Sequence, residues 1–254
     1  MTFRHGSRTG VLFDLYDVST YMNSAQSSSS VTVSETTTYG ATGDAKTYVT
    51  GLRDTTVSIA GLWDGDTGAL DELINTSLAS DNDANFLIAE DGGIAVGRRC
   101  IFGQSVRTKY STDSPVADVV KISLDLQADA ELGRGVILTD GASTTGNPGT
   151  VLGTAVDNGS ATTNGGVGVV FNTINTRSAQ FTQVKIQHSA DNSTWADLVT
   201  FTNIPPNSTT PLSPLRSQRA VVATGTTVNR YLRATYTGSG ATGAYAFVFA
   251  FARR

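Results

Sequence analysis

Few side chains in this 254-residue sequence are suited to covalent or metal chemistry. A cysteine nucleophile can only be Cys100, and an imidazole base can only be His5 or His188. Within Arg99-Cys-Ile-Phe102 the thiol has the neighbours of a small buried hydrophobe rather than of an activated thiolate. No local motif ties it to either histidine, and G-x-S-x-G, H-E-x-x-H and G-K-[ST] are all missing. One cysteine forms no internal disulfide and no multi-cysteine zinc site. Asp64-Gly-Asp-Thr-Gly68 alternates oxygens as a calcium loop does. It lacks the further ligands and the closing acid, and Asp66 is placed to cap a helix. Gly238-Ser-Gly-Ala-Thr-Gly243 spells G-x-G-x-x-G, but a dinucleotide site needs a strand before it and a helix after it. Here strands flank both sides, which reads as a glycine-rich hairpin loop. Trp195, at the end of Ser189-Ala-Asp-Asn-Ser-Thr-Trp195, has two readings: a ring that stacks on a sugar, or one that closes an end of a core. The sequence predicts no catalytic residue, no cofactor and no metal.

Composition describes what holds these residues. Sixty-one residues are Ser or Thr and 26 are Gly, while only 16% are charged, which points to strands and many turns. No apolar run approaches the roughly 18 residues of a membrane helix, and no apolar segment follows Met1–Gly10 as in an export signal. The four Asn-x-Ser/Thr triplets, at Asn75, Asn158, Asn192 and Asn207, read as chance in so hydroxyl-rich a chain.

Charge is unevenly spread. Up to Asp140 there are 10 basic and 19 acidic residues, net −9; from Gly141 there are 8 and 3, net +5. Between the halves, Thr139–Gly166 is rich in Gly, Thr, Ser and Asn and reads as punctuation. Two domains are expected, 1–140 and 151–254, joined by 141–150. In the first, Val11–Val18 reads as a strand, and Ser24–Lys46 as a polar arm with strand-forming residues but little to bury. Such a ribbon is marginal alone and seeks pairing partners. Thr55–Trp63 follows as a half-buried strand. Thr67–Ser80 has a helical stripe of Leu70, Leu73, Ile74 and Leu78, capped by Asp66 or Thr67 and ended by Asp81-Asn-Asp83. Strands resume at Asn85–Glu90, Arg98–Tyr110 and Ala117–Gln127. In the last of these, Val120, Ile122, Leu124 and Leu126 alternate with Lys121, Ser123, Asp125 and Gln127. The second half reads as strand and turn throughout: Val167–Ile174, Gln180–His188, Ala196–Thr202, Ala220–Ala223, Arg230–Thr237 and Ala244–Phe251. The last strand is apolar on both faces, hence central.

Leu15-Tyr-Asp-Val-Ser-Thr-Tyr21, the arm, Gly51-Leu-Arg-Asp-Thr-Thr-Val-Ser-Ile-Ala-Gly-Leu-Trp-Asp64 and the short helix together resemble the major tail tube proteins of long, non-contractile-tailed phages. The resemblance spans most of residues 11–138. Val184–Trp195 and Asn229-Arg-Tyr-Leu-Arg-Ala-Thr235 resemble discoidin-like, galactose-binding jelly rolls, without their disulfide cysteines. The implied fold is mainly β: a tail-tube-type sandwich or barrel with one packed α-helix, then a jelly-roll-like sandwich facing outward. The implied function is a virion structural protein, assembled in the host cytoplasm into stacked, hexameric rings whose lumen passes double-stranded DNA. Its partners would be other copies of itself, other tail proteins and, through the second domain, host surface glycans. The arm, with Val31, Val33, Glu35, Thr37, Tyr39 and Asp44, would reach neighbouring subunits. Asp125, Gln127 and Asp129 are the lumen candidates, and an acidic wall would repel DNA phosphates. Trp195 is the candidate glycan contact. The alternative is a carbohydrate-binding or adhesion module of a bacterial surface protein.

Overall fold

The computed structural model describes residues 6–13, 16–38, 45–66, 70–71, 74, 84–142, 151–175, 181–204, 217–238 and 245–254. A 3-10 turn, Gly6–Arg8, precedes strands β1 (Gly10–Phe13), β2 (Tyr16–Asp17), β3 (Met22–Glu35) and β4 (Tyr48–Leu62). Next come β5 (Ala84–Ala89), β6 (Arg99–Asp113), β7 (Lys121–Ala128) and β8 (Gly133–Ile137). Then follow β9 (Val151–Asp157), β10 (Gly166–Asn175), β11 (Phe181–Ser189) and β12 (Ala196–Ile204). The chain ends with β13 (Ser217–Val222), β14 (Tyr231–Gly238) and β15 (Tyr245–Arg253). The protein is mainly β, built of two antiparallel sheets.

The larger sheet runs β13-β10-β15-β8-β6-β5-β1-β2, and β7, β4 and β3 extend it from β6. The smaller sheet is β12-β11-β14-β9. Period-two alternation divides the apolar residues among three cores. Phe247, Phe249 and Phe251 of β15 pack with Val184, Ile186, Leu232 and Tyr236 between the sheets. Val248, Ala250 and Ala252, on its other face, join Leu12, Leu87, Phe102, Val169 and Phe171. The expected two-faced burial of this strand is therefore met, because it lies between β10 and β8. The Asn85 amide donates to Ser217 Oγ at 3.0 Å, tying β5 to β13 across that second core. The third core gathers Val57, Ile59, Phe86, Ile88, Ile122, Leu124 and Leu126 with Leu70 and Ile74.

Several elements differ from expectation. Val11–Val18 is a hairpin of β1 and β2 rather than one strand, with Leu12 opposite Asp17 and Phe13 opposite Tyr16. β4 starts seven residues early, since Tyr48–Asp54 pairs with β3 although it buries nothing. β7 starts at Lys121 rather than Ala117, after a turn in which the Asp118 amide approaches the Pro115 carbonyl. Inside the stretch read as punctuation, Val151–Asp157 is a strand that buries Leu152 and Val156. The glycine-rich loop after Gly238 does not close a hairpin: β14 belongs to the small sheet and β15 to the large one. The helix expected at Thr67–Ser80 lies outside the described residues except at Leu70, Asp71 and Ile74. Those three residues have helical backbone and Leu70 and Ile74 are buried in the third core, but no α-helix is among the described elements, so the expected packed helix is not established. β8 pairs with β15, so strands on both sides of 141–150 share one sheet.

Candidate assembly surface

Four strands in the order β3-β4-β7-β6 form a sheet with two unlike faces. Val57 and Ile59 of β4 and Ile122, Leu124 and Leu126 of β7 point into the third core. Opposite residues of antiparallel strands share a face, so register identifies the outer one. Gln26, Ser58, Asp125 and Lys109 form one row; Ser24, Ala60, Ser123 and Ser111 form another. Ser28, Thr56, Gln127 and Val106 form a third. Small hydroxyls dominate, linked across strands. Ser58 Oγ donates to Asp125 Oδ1 at 2.7 Å, and the Ser111 and Ser123 hydroxyls lie 2.7 Å apart. Gln127 Nε2 donates to the Thr55 carbonyl at 3.1 Å and to the Asp54 carboxylate. Thr108 Oγ1 donates to the Asp125 carbonyl at 3.0 Å.

Asp125 and Gln127 therefore stand on this outer face, as their alternation predicts. Asp129 lies just past β7, exposed, its amide donating to the Gln104 carbonyl at 3.0 Å. The face is not strongly acidic: Asp54, Asp113 and Asp125 share it with Lys109 and Lys121. More acid gathers where β4 and β6 end, around Asp64, Asp66, Asp113 and Asp118. There Asp64 Oδ1 accepts the Asp66 amide at 3.1 Å, a local turn. Lys121 donates to Asp118 at 2.5 Å and holds that carboxyl below its usual range.

At the other end, β3 and β4 outrun the core. The last buried residue of β4 toward the tip is Thr55, and its hydroxyl lies 3.0 Å from that of Ser29. From there to Tyr48 the ribbon projects about 20 Å at strand rise. A bulge separates the Val31–Arg53 pair from the Val33–Thr50 pair. A Cβ on Gly51 would lie 2.4 Å from Thr32 Oγ1, so a larger residue in the bulge requires that hydroxyl to turn away. The tip is held by Ser34–Val49 and Glu35–Tyr48 pairing, a Lys46–Glu35 ion pair at 2.9 Å and the Thr47 amide donating to Thr37 Oγ1 at 3.0 Å. Val31, Val33, Tyr48, Val49 and Leu52 are exposed there, Leu52 to 87%. Of the arm residues named from sequence, Val31, Val33, Glu35 and Thr37 lie on this ribbon, and Tyr39 and Asp44 lie outside the described residues. Sequence reading missed Tyr48, Val49 and Leu52. Their signal was the Tyr48–Leu52 run of strand formers with nothing to bury, facing the similar run at Val31–Glu35.

Both edges of this sheet are open among the described strands. β3 pairs only with β4, and from Val106 to Asp113 β6 pairs only with β7.

The other candidate residues do not converge. Cys100 is buried in the second core, where desolvation pushes its thiol up to about 12. His188 is on β11 in the other sheet, half-buried. Its Nδ1 accepts the Asn229 amide at 3.2 Å, and burial lowers its pKa. His5 lies outside the described residues. Trp195 is half-buried and outside the buried cluster, with the Arg233 guanidinium 4.0 Å from its ring centroid.

No protein-family model and no curated protein matches the chain. Among solved structures, the tail of an empty gene transfer agent particle with C6 symmetry matches at 15% identity and a TM-score of 0.43, covering 52% of this chain and 98% of that one. The SPP1 Dit protein, described as a hub adsorption apparatus of phages infecting Gram-positive bacteria, matches at 13% identity and 0.37, covering 96% and 98%. The SPP1 tail tube matches at 18% identity and 0.37, covering 50% and 77%. The chain is structurally similar, at this distance, to components of phage and gene transfer agent tails.

Proposed function

We propose that this chain is a non-enzymatic structural subunit of a phage-type tail, polymerising with copies of itself into stacked rings that enclose a DNA conduit. The observation that carries this reading is the β3-β4-β7-β6 sheet, with two open edges and an apolar-tipped ribbon that outruns its own core. A long unpaired edge on a monomer is a template for another strand, and soluble proteins ordinarily blunt such edges. Here β3 offers 14 residues. If β3 of one copy pairs with the free stretch of β6 on the next, the edges close around a ring, which is a heterologous contact. The hydroxyl-rich face with Asp125 and Gln127 then becomes the lumen wall, with Asp129 at its rim. Three carboxylates against two lysines leave that face without net positive charge, so a duplex passes with few counterion-releasing contacts. In this reading residues 1–140 build the tube, and the small sheet with its partners faces outward. Hexameric closure, virion location and contacts with other tail proteins are part of the same proposal.

Negative-stain microscopy of the purified protein tests it. Rings or tubes with an axial hole are expected, and a strictly monomeric protein at high concentration contradicts the proposal. The carbohydrate-binding alternative rests on Trp195, but Arg233 occupies the neighbourhood of its ring and leaves less of it for a sugar to stack on. Glycan-array binding lost on Trp195→Ala would restore that alternative.

A further inference from the structure

We infer that the cleft walled by Arg99, Arg134 and Arg253 binds a small, multiply charged oxyanion, a phosphate or a short dicarboxylate. The cleft holds about 280 Å³ and lies where β6, β8 and β15 of the large sheet meet the end of β9. Val136, Val156 and Phe251 give it apolar walls, and Asp157 is its one carboxylate. That carboxylate is already engaged: Arg230 Nε and an Nη reach its two oxygens at 2.7 and 2.6 Å, and the Gly159 amide donates at 2.8 Å. Arg253 is held in place by the carbonyls of Asn158, at 2.9 Å, and Ser160. The side chains of Arg99 and Arg134 have no hydrogen-bond or ion-pair partner among the described residues. Three guanidiniums thus share one cleft with no free counter-charge among the described residues, in a chain whose net charge is −4.

Register explains how they meet. Arg134 stands opposite Ile101 on β6, Val136 opposite Arg99, and Val136 also opposite Phe251 on β15. Arg99, Arg134 and Arg253 therefore fall on one face of three adjacent strands. Clustering like charge costs free energy, and the structure records it: burial first, then Arg99, lowers the pKa of Arg253. An oxyanion reverses that repulsion. Planar guanidinium forks match carboxylate and phosphate oxygens two at a time, and apolar walls strengthen each contact. The volume sits at the low end of small-ligand cavities, which suits a phosphate or a short dicarboxylate and not a macromolecular strand.

The test is independent of ring formation. Inorganic phosphate is titrated into the protein by calorimetry at constant ionic strength, with chloride as the balancing anion and succinate in a parallel arm. Saturable binding is expected, weakened at least tenfold by Arg99→Gln and by Arg134→Gln; both residues are exposed, so the variants fold. Tighter phosphate than succinate assigns the site to phosphate, and the reverse assigns it to dicarboxylates, either supporting an oxyanion site. No saturable binding in either arm, or binding unchanged in both variants, overturns the inference. Microscopy of the same samples tests the tail-subunit proposal separately.

Discussion

The outer faces of the two sheets build their polar networks from different side chains. On the small sheet the side chains satisfy one another. Lys185 donates to Asp197 at 2.5 Å, and Gln187 Nε2 donates to the other oxygen of the same carboxylate at 2.8 Å. Arg233 donates twice to Gln187 Oε1, at 3.0 and 2.8 Å, and lies over Trp195. The β3-β4-β7-β6 sheet instead is lined by short hydroxyls and carries an apolar-tipped ribbon that outruns its own core. Both sheets leave edge strands unpaired among the described strands, so it is the projecting ribbon that sets the second apart.

The largest expected effect comes from removing the tip. Val31 and Arg53 pair directly, so replacing Thr32–Leu52 with Asn-Gly should close a two-residue hairpin and leave a folded monomer. Rings and tubes should vanish in negative stain while thermal unfolding stays cooperative; normal tubes would break the contrast between the sheets. Val33→Glu or Tyr48→Glu should raise the concentration needed for assembly roughly tenfold, the scale of one lost apolar anchor. Because both side chains are exposed, stability should change by less than about 0.5 kcal/mol. Sedimentation across a dilution series measures the first effect, and denaturant unfolding the second.

A third variant addresses the proposed wall. Asp125→Lys with Asp129→Lys should still assemble, but its tubes should retain duplex DNA at about 50 mM salt and release it by about 200 mM. Indistinguishable retention by the two kinds of tube would place these residues elsewhere. On the small sheet, Arg233→Ala should cost about 1 kcal/mol, the scale of a hydrogen bond plus a cation–π contact, and leave assembly unaffected. The smallest effect is in acid. Arg230 first, then the Gly159 amide, holds Asp157 at about 2, below its ordinary value of 3.8. Its contribution is therefore present above about pH 4 and lost as pH falls toward 2. Asp157→Asn should flatten that part of the stability profile.

How much of this was legible in the sequence depended on what holds each element. β7 and β15 were readable because burial imposes a period of two on one face or fills both. The outer half of β4 was not, since Tyr48–Asp54 is held by a ladder to β3 and carries no burial signal. β9 was hidden for a related reason. Leu152 and Val156 are its buried apolar residues, and the glycines and threonines around them look like a turn. The β8–β15 pairing joins residues more than a hundred positions apart, which no local window detects. The arm could be located by its lack of a core, but its apolar tip emerged only when β3 and β4 were seen paired.

The single cysteine offers a use outside assembly. Cys100 is 4% exposed, in a core shared by strands from both ends of the chain, and its thiol stays protonated at neutral pH. Thiol-directed reagents attack the thiolate and need access to it, so the native subunit should resist them. Labelling should then occur only when that core opens. The wild-type chain therefore carries a built-in clock for subunit opening: comparing labelling rates of free and assembled protein would measure how far polymerisation locks each subunit shut.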